Sequence, residues 1–364
     1  MLLSEIIRVV DELVPFPLQE EYDNSGLIIG DAEQEISCAL ICIDITDEVL
    51  QEAIQEKCDL IISHHPLIFT GLKRITGQNM TERLVAMAIR NSIAILALHT
   101  NLDNHPEGVN RMLSEKLGIV NPHILRPLEG YLHKLVTFCP LSYAESVRLA
   151  LFNSGAGQIG NYDSCSFNVN GQGTFRALPG SHPFIGNQEE LHEENEVRIE
   201  VIYPSYKEKS IISALKAVHP YEEVAFDSYP LVNRMPYAGA GMIGELPSEV
   251  DAVEFLQLVK QALNLPVVRH SPIHKPSIKK IAFCGGAGSF LIRDAMKLGA
   301  DAYLTGDIKY HDFFLPDNRM ILADIGHYES EQYTKELIFT LLNEKIPTFA
   351  LLISETPTNP VNYL

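Results

Sequence analysis

Histidine and carboxylate side chains recur just after apolar runs at four places in this chain. The segments are residues 63–66 (SHHP), 99–103 (HTNLD), 305–307 (TGD) and 324–331 (DIGHYESE). Imidazole nitrogens and carboxylate oxygens are suitable ligands for zinc, iron or manganese. An imidazole can also transfer a proton near neutral pH. The residue types therefore indicate metal-assisted or acid–base chemistry, provided that the fold brings the segments together.

The adjacent residues His64 and His65 would point to opposite faces inside a strand. They can serve one site only in the turn beyond the strand, where Pro66 restricts the backbone. In that turn each imidazole could bind one of two metal ions. A surface turn that binds no ligand is the alternative interpretation of the pair.

His327 and Glu331 are four residues apart at the start of a predicted helix, so they lie on one helix face. This spacing suits a shared metal ion, although such pairs also occur on solvated helices. Asp103 could bridge two ions through its two oxygens, or it could cap the following helix. Two-metal sites hold their ions about 3.5–4 Å apart and activate water. The joint placement of these side chains after buried strands of one sheet predicts a shared metal site.

The elements that position these side chains begin with an α/β pattern over the first 125 residues. An opening helix capped by Ser4 is followed by strands and helices in alternation. The predicted strands are 38–46, 59–65 and 92–103, and the predicted helices are 47–57, 80–91 and 108–118. Continuous apolar strands separated by helices are typical of a parallel sheet that is covered on both faces. Ligands bind beyond the carboxyl ends of such strands, so the polar segments should converge on one pocket.

The pattern changes near residue 130. Strands are predicted at 131–140, 196–204 and 222–231, with helices at 143–155 and 209–220 and a hairpin within 164–178 around Asn170 and Gly171. The order β-α-β-β-α-β predicts a ferredoxin-like unit, with one extra strand as an option. Pro127 and the Gly/Pro-rich residues 233–247 mark its two edges.

The α/β alternation then resumes to the end of the chain. Helices are predicted at 251–264, 290–300 and 327–345, and strands at 279–286, 301–307, 320–326 and 347–354. The predicted fold class is therefore α/β, a discontinuous two-part domain with mainly parallel sheets and an inserted ferredoxin-like α+β domain. Its predicted bounds are 1–127 and 236–364 for the metal-binding domain and 128–235 for the insert.

Two further loops are candidate site elements. Residues 22–26 (YDNSG) include Asn24 and Ser25, and a plain turn before a strand is their alternative interpretation. Residues 284–289 (CGGAGS) join a strand to a helix, where a Gly-rich turn can hold phosphate. That segment lacks the GxGxxG spacing and the P-loop lysine, so close packing of strand on helix is the favoured interpretation.

Composition excludes several classes of protein. The chain has 28 Lys and Arg against 47 Asp and Glu, a formal charge of −19, which argues against a protein that coats nucleic acid. Six cysteines occur without a C-x-x-C pair, so a zinc ribbon is not indicated. Acidic residues interrupt the N-terminal segment, and no apolar run reaches about 18 residues, so neither a signal peptide nor a membrane helix is expected. We expect a cytoplasmic protein.

The motifs at 22–26, 63–66, 99–103, 305–307 and 326–331 together resemble the GTP cyclohydrolase I type 2-like family, also called the NGG-one-interacting-factor-three-like family. The resemblance extends over the whole chain. Residues 219–223 (HPYEE) resemble the signature of the CutA-like and PII-like ferredoxin fold that longer members carry as an insert.

The resemblance implies a dinuclear metal centre and toroidal homohexamers with the metal sites facing an internal cavity. Carried over by motif, the ligands of the two divalent ions are His64, His65, Asp103, His327 and Glu331. The residues beside the ligand segments are candidates for the second shell, the substrate site or proton transfer. Catalytic candidates are His99 and His311, and substrate-binding candidates are Asn24, Ser25, Asn101 and Asp307.

Two functions remain open from the sequence. The first is a metal-dependent hydrolase that acts on a nucleotide-like or heterocyclic small molecule through an activated water. The second is a metal-binding regulatory or metal-handling scaffold without its own turnover, in which the insert senses a ligand or mediates assembly. Cyclohydrolase activity on GTP itself is a weaker third option, because zinc-dependent GTP cyclohydrolases generally use cysteine ligands and no cysteine here is near a proposed ligand in sequence.

Overall fold

The structure, a computed structural model, describes residues 1–364. The chain folds into two compact units, one of which consists of two separate segments. Met1–Arg126 and Tyr237–Leu364 together form one compact unit, called the split unit below. Pro127–Pro236 form the second, called the inserted unit.

Strands and helices alternate along the chain. The first part contains α1 (Leu3–Leu13), β1 (Gly26–Ile29), β2 (Cys38–Cys42), α2 (Asp47–Gln55), β3 (Leu60–Ser63), α3 (Met80–Arg90), β4 (Ala94–Ala97), α4 (Thr100–Asp103), α5 (Val109–Lys116) and β5 (Val120–Leu128). The middle part contains β6 (Leu132–Pro140), α6 (Ala144–Asn153), β7 (Phe167–Arg176), β8 (Leu191–Pro204), α7 (Glu208–Val218) and β9 (Phe226–Pro230). The last part contains β10 (Met235–Asp251), α8 (Ala252–Ala262), β11 (Arg269–His270), β12 (Ser277–Ala287), α9 (Ile292–Lys297), β13 (Ala302–Gly306), β14 (Ile321–Asp324), α10 (His327–Glu331), α11 (Thr334–Lys345) and β15 (Ala350–Ile353).

The split unit contains two sheets. The first has the order β1-β4-β3-β2-β15, with β2, β3, β4 and β15 parallel and β1 antiparallel at one edge. The second has the order β11-β14-β13-β12-β10-β5, with β12, β13 and β14 parallel. A mixed α/β fold with several sheets is thus confirmed. The expectation that all the site segments follow strands of one sheet is wrong, because β3 and β4 belong to the first sheet and β13 and β14 to the second.

Apolar packing on both faces explains why the central strands are continuous apolar runs. On the first sheet, Ile41, Ile62 and Leu96 face a core shared with α1 and α11. The residues before them, on the opposite face, join a core with α2 and α3. Helix α5 contributes Val109 to the first sheet's core and Leu113 to a core of the second sheet. One short helix therefore ties the two sheets together.

The inserted unit is a four-stranded antiparallel sheet with the order β7-β8-β6-β9. Helices α6 and α7 cover one of its faces and share a core with alternate residues of β6 and β8. The residues between them, such as Arg198 and Glu200, form ion pairs on the other face. The strands therefore read as alternating apolar and polar positions, which is typical of a sheet with one covered face.

Several local predictions differ from the structure. Asn170 and Gly171 do not form a hairpin turn, because β7 continues through them and pairs with β8 along its whole length. Residues 233–247 are not only a boundary, since most of them belong to the long strand β10. Ser4 lies inside α1, whose first free backbone N–H, that of Leu2, donates to the Glu5 carboxylate. The predicted helix 327–345 is two helices, α10 and α11.

Besides the internal strand β10, the sequence analysis missed three edge strands. They are β1, β5 and β11, which are short, partly exposed or interrupted by proline. Each is an edge strand of its sheet or pairs at an edge. Edge strands bury fewer side chains, so their apolar pattern is weaker. None of the helices combines the length and apolar character that are needed to cross a membrane.

Asp251 offers a test of local folding at the start of α8. Its carboxylate accepts hydrogen bonds from the backbone N–H groups of Val253 and Glu254 at 2.9 and 3.1 Å. We expect Asp251→Ala to lower the free energy of unfolding by about 1 kcal/mol, because these N–H groups lose their acceptor. Urea unfolding followed by circular dichroism measures the change. Asp251→Asn keeps an acceptor oxygen and should cost clearly less; equal losses for both variants would contradict the capping role.

Candidate metal centre

The carboxyl ends of strands from both sheets of the split unit meet at one buried cluster. His64 and His65 follow β3, and Asp103 ends α4, the single helical turn after β4. His327 and Glu331 are the first and last residues of α10, which follows β14 after a glycine. Five side chains that are distant in the sequence are therefore brought together by strand ends and one-turn helices.

The two adjacent histidines both reach the cluster. Their backbone N–H groups still donate to β2 and the residue after it, at Cys42 O and Ile43 O. The two rings are 4.8 Å apart with an interplanar angle of 41°. Because both residues lie just past the last residue of β3, they escape the strict alternation of strand side chains, as the sequence analysis required.

Glu331 is the centre of the cluster. Its Oε2 atom is 3.1 Å from both His65 Nε2 and His327 Nε2, and these two nitrogens are 3.3 Å apart. The same oxygen is 3.7 Å from His64 Nε2, which in turn is 3.8 Å from Asp103 Oδ1. The oxygen shared among three imidazoles thus belongs to Glu331, whereas the sequence analysis had assigned the bridging position to Asp103.

All three imidazoles turn the same nitrogen toward the cluster. Nδ1 of His64 lies 2.8 Å from the carbonyl oxygen of Leu98. Nδ1 of His65 and of His327 lie 2.7 Å from the carboxylates of Asp44 and Asp307. These oxygens only accept, so each Nδ1 donates, and Nε2 is the nitrogen that faces the other ligands and is left to hold a proton or a metal ion. This is the arrangement by which proteins orient metal-binding histidines.

Two buried polar atoms in the cluster lack a hydrogen-bond partner. They are His64 Nε2 and Asp103 Oδ1, which face each other across 3.8 Å. The His64 side chain is fully buried, and Glu331 is only 2% exposed. Unpartnered buried polar atoms are rare because each costs desolvation energy. A cation between them would satisfy both, so the residues present fit a metal ion.

The ionisation behaviour of the cluster also indicates a site for positive charge. Burial and the neighbouring Glu331 carboxylate raise the pKa of Asp103 to about 7. Burial opposes ionisation of Glu331 as well, but the surrounding histidines hold the pKa of Glu331 well below its usual range. Burial lowers the pKa of His65, yet Asp44 and Glu331 outweigh it and raise the pKa to about 10. Metal ions would compete with these bound protons.

Gly286 allows the second sheet to approach the ligands closely. A Cβ atom at this position would lie 2.2 Å from Glu331 Oε1 and 3.4 Å from His327 Nε2. Its backbone has φ +60°, in the left-handed region that favours glycine. The Gly-rich segment is therefore explained by close packing of β12 on α10, the simpler of the two interpretations from the sequence.

His99 lies beside the cluster and is oriented by a buried acid. Its Nδ1 is 2.7 Å from Asp23 Oδ1, and its ring centre is 5.5 and 5.3 Å from those of His64 and His65. Burial opposes ionisation of Asp23, but hydrogen bonds from His99 and Thr100 hold its pKa well below the usual range. His99 is therefore placed where a proton-transfer group would be useful.

The other predicted substrate residues have different positions. Ser25 donates to Asp23, and Asn101 is buried and bonds the backbone of His99 and Val14. Asn24 is exposed and donates to Ile68 O. These three side chains support the loops around His99 and do not line the cavity described below. Asp307 does line it and also holds His327.

His311 is not brought to the cluster. It lies in the exposed 3₁₀ turn Tyr310–Phe314, with its ring against Tyr310 at 5.2 Å. The sequence placed it four residues after Asp307, but the turn carries it away from the strand end. Conversely, the sequence analysis named neither Asp23 nor Asp44 individually as a site residue. Asp44 follows β2 closely, so the strand-end rule could have found it.

A cavity of about 810 Å³ opens beside this cluster within the split unit. His65, His99, Asp103, His327 and Glu331 all contribute to its lining. Aromatic side chains, among them Tyr22 and Phe69, form part of its wall. The cavity is large enough for a small molecule and places it next to the cluster.

Comparison with known proteins agrees with the motifs. A sequence profile of the family described as Duf34/NIF3 (NGG1p interacting factor 3) matches residues 1–360. The GTP cyclohydrolase 1 type 2 homolog of Bacillus subtilis (strain 168) is 38% identical, over 99% of this chain and 98% of that protein. A solved Bacillus cereus protein related to NIF3 has a TM-score of 0.87 and 36% identity, covering 100% of this chain and 99% of that one. A Staphylococcus aureus structure has a TM-score of 0.78 and 31% identity, with the same coverage. The family resemblance seen in the motifs is thereby confirmed, and the chain belongs to the Duf34/NIF3 family.

Proposed function

We propose that the chain is a dinuclear metal-dependent hydrolase that acts on a small nucleotide-like or heterocyclic molecule. The observation that carries the proposal is the common orientation of three histidines, whose Nε2 atoms converge on Glu331 while oxygen acceptors hold each Nδ1. The adjoining cavity gives a substrate access to the same atoms.

The ligand geometry suggests two unequal metal positions. A tetrahedral ion with ligands at about 2.0–2.1 Å holds them about 3.3 Å apart. The nitrogens of His65 and His327 and Glu331 Oε2 are separated by 3.1–3.3 Å, which matches one face of such a polyhedron. His64 and Asp103 are 3.8 Å apart, and together with Glu331 they would hold the second ion. The first position needs less rearrangement, so we expect it to fill first.

The chain's own residues would then perform the remaining tasks. When bound, two divalent ions supply Lewis acidity and lower the pKa of a water molecule toward neutrality. Asp44 and Asp307 keep the ligand imidazoles in the tautomer that binds metal. His99, held at Nδ1 by Asp23, presents Nε2 for proton transfer to a leaving group. Zinc, iron and manganese all suit this donor set.

A specific feature of the inserted unit favours a second candidate function. Two adjoining cavities of about 360 and 440 Å³ share Glu196 and Tyr221, whose hydroxyl donates to Glu196 at 2.8 Å. They support a unit that senses a ligand, as a regulatory or metal-handling protein would need. Deleting residues 131–232 separates the two functions, because a hydrolase should keep basal turnover whereas a regulator should keep metal and lose its response.

We further propose that the inserted unit is ferredoxin-like. Its β-α-β-β-α-β order and its antiparallel sheet, with the first strand between the third and the fourth, support this assignment. The homohexamer and the cytoplasmic location that were expected from the sequence stay predictions.

Metal stoichiometry tests the two positions. We expect the metal-loaded chain to retain two ions after gel filtration, Asp103→Ala to retain one, and Glu331→Gln to retain neither firmly, because Glu331 is shared. Inductively coupled plasma mass spectrometry counts the ions per chain. Glu336→Gln, an exposed residue on α11, is the matched control and should behave as wild type. Two firmly held ions in Glu331→Gln would refute the shared position.

Gly286→Ala tests whether close approach of β12 shapes the centre. The new Cβ would collide with Glu331 and displace it, so we expect metal affinity to fall at least about tenfold. Isothermal titration calorimetry with zinc measures the affinity. Gly71→Ala is the control, since nothing lies within 4 Å of the Cβ it would add. Unchanged zinc binding in Gly286→Ala would show that the contact is unimportant.

Turnover tests the hydrolase assignment. Metal-loaded chain should convert at least one member of a panel of nitrogen heterocycles and their nucleotides to a product heavier by one water, seen by mass spectrometry. We expect His99→Gln to lower kcat about 100-fold or more at unchanged metal content, because proton transfer is lost. Equal rates for wild type and Asp103→Ala, or no turnover of any compound, would count against the hydrolase.

A further inference from the structure

We propose that the cavity beside the metal centre takes a planar nitrogen heterocycle that carries no phosphate, a free base or nucleoside rather than a nucleotide. The inference deepens the proposed hydrolase function and rests on it. Three independent features of the cavity support it: the charge of its lining, the engaged backbone of its Gly-rich wall and an exposed aromatic shelf next to His99.

The lining is strongly acidic. Besides the ligands Asp103 and Glu331, five further carboxyl groups line the cavity: Glu20, Asp44, Asp307, Asp324 and Glu329. The lining contains no lysine and a single arginine, Arg269. Two divalent ions and this arginine would supply five positive charges against seven carboxylates. A polyphosphate would therefore enter a cavity that repels it even when both metal positions are filled.

The guanidinium group of Arg269, the single one in the lining, already has hydrogen-bond acceptors within the protein. Arg269 donates to the Asp324 carboxylate and, at 3.1 Å, to Ile308 O. Asp324 is buried and also accepts from the backbone of Ile308 and Gly326. Withdrawing Arg269 to bind a phosphate would leave this buried carboxylate without its cation, which is costly.

The Gly-rich segment cannot serve as a phosphate cradle. A cradle needs several free backbone N–H groups pointing at the anion. Gly285 N donates to Asn110, Gly286 N to Ser330 and Gly288 N to Thr305, at 3.1, 2.9 and 2.8 Å. These donors hold β12 against neighbouring elements of the split unit and are not available to a ligand.

Tyr22 and Phe69 in the cavity lining form an aromatic shelf, which offers stacking contacts to a planar ring. The ring centres of Tyr22 and Phe69 are 6.3 Å apart, and Phe69 is 6.2 Å from His99. Tyr22 and Phe69 are 62% and 50% exposed, unusually open for large aromatic side chains. The two rings are tilted by 46°, so a heterocycle would stack on the Phe69 ring, beside His99 and the metal ligands, with Tyr22 at its side. Stacking recognises the π face and requires no charge on the ligand.

The reaction that fits this placement is hydrolysis of a ring C–N bond. Water adds its hydroxyl to the carbon and its proton to the nitrogen, so the ring opens without any oxidant or reductant. His99 Nε2 is the group placed to deliver the proton to the nitrogen.

Guanosine, GMP and GTP form a probe series that shares one planar base and differs only in phosphate. Equilibrium dialysis against the full chain loaded with manganese measures each affinity. We expect affinity to fall from guanosine to GMP to GTP, by about tenfold or more overall. Tyr22→Ala combined with Phe69→Ala should weaken guanosine binding while metal content is unchanged. Tightest binding of GTP, or no binding of guanosine, overturns the proposal.

A charge variant tests the cause of the discrimination. Glu20→Gln combined with Glu329→Gln removes two negative charges and keeps acceptors for Asn104, Asn359 and Tyr363. We expect the ratio of the guanosine affinity to the GTP affinity to fall several-fold. Glu33 is exposed and lies outside the cavity, so Glu33→Gln should leave this ratio of affinities unchanged. An unchanged ratio of affinities in the double variant overturns the electrostatic argument.

Turnover of the same three compounds separates this proposal from the hydrolase itself. Faster ring opening of GTP than of guanosine would leave the hydrolase standing and overturn the substrate class. Tight binding of guanosine without turnover of any compound would uphold the cavity's preference and overturn the hydrolase.

Discussion

Glu331 Oε2 lies 3.1–3.7 Å from three imidazole nitrogens whose other nitrogen is committed to an oxygen acceptor. The atoms that face one another are therefore imidazole nitrogens and a carboxylate, with Asp103 beside them. Such a cluster is unfavourable when buried unless positive charge neutralises it. The need for that charge, as protons or as metal ions, explains the raised pKa values of His65 and Asp103 and the two unpartnered atoms.

The rest of the split unit serves to hold this cluster together. The first sheet presents His64, His65 and Asp103, whereas the second presents His327 and Glu331, and α5 joins their cores. Gly286 has no side chain because β12 and α10 come too close there for a Cβ atom. The apolar strands behind the centre are buried and packed on both faces. A site that the fold holds in place binds an ion at lower cost.

The chemistry that the cavity supports follows from what surrounds the centre. Carboxylates outnumber cations, and the Gly-rich wall has used its N–H groups. This lining is the reason for proposing an uncharged ring system, and not a phosphate, as the ligand. Specificity in such a site would come from stacking and from exclusion of negative charge.

The sequence by itself determined the α/β alternation, the family and five candidate ligands, because buried strands and the polar groups after them leave a local pattern. It failed for the edge strands β1, β5 and β11, for the long strand β10 and for Asn170–Gly171, since edge strands and long pairings are set by distant partners. Only tertiary structure decided that two sheets share the centre, that Glu331 takes the central position, that Asp23 and Asp44 orient histidines, and that His311 lies outside. These features depend on distances between segments up to 266 residues apart, which no local periodicity encodes.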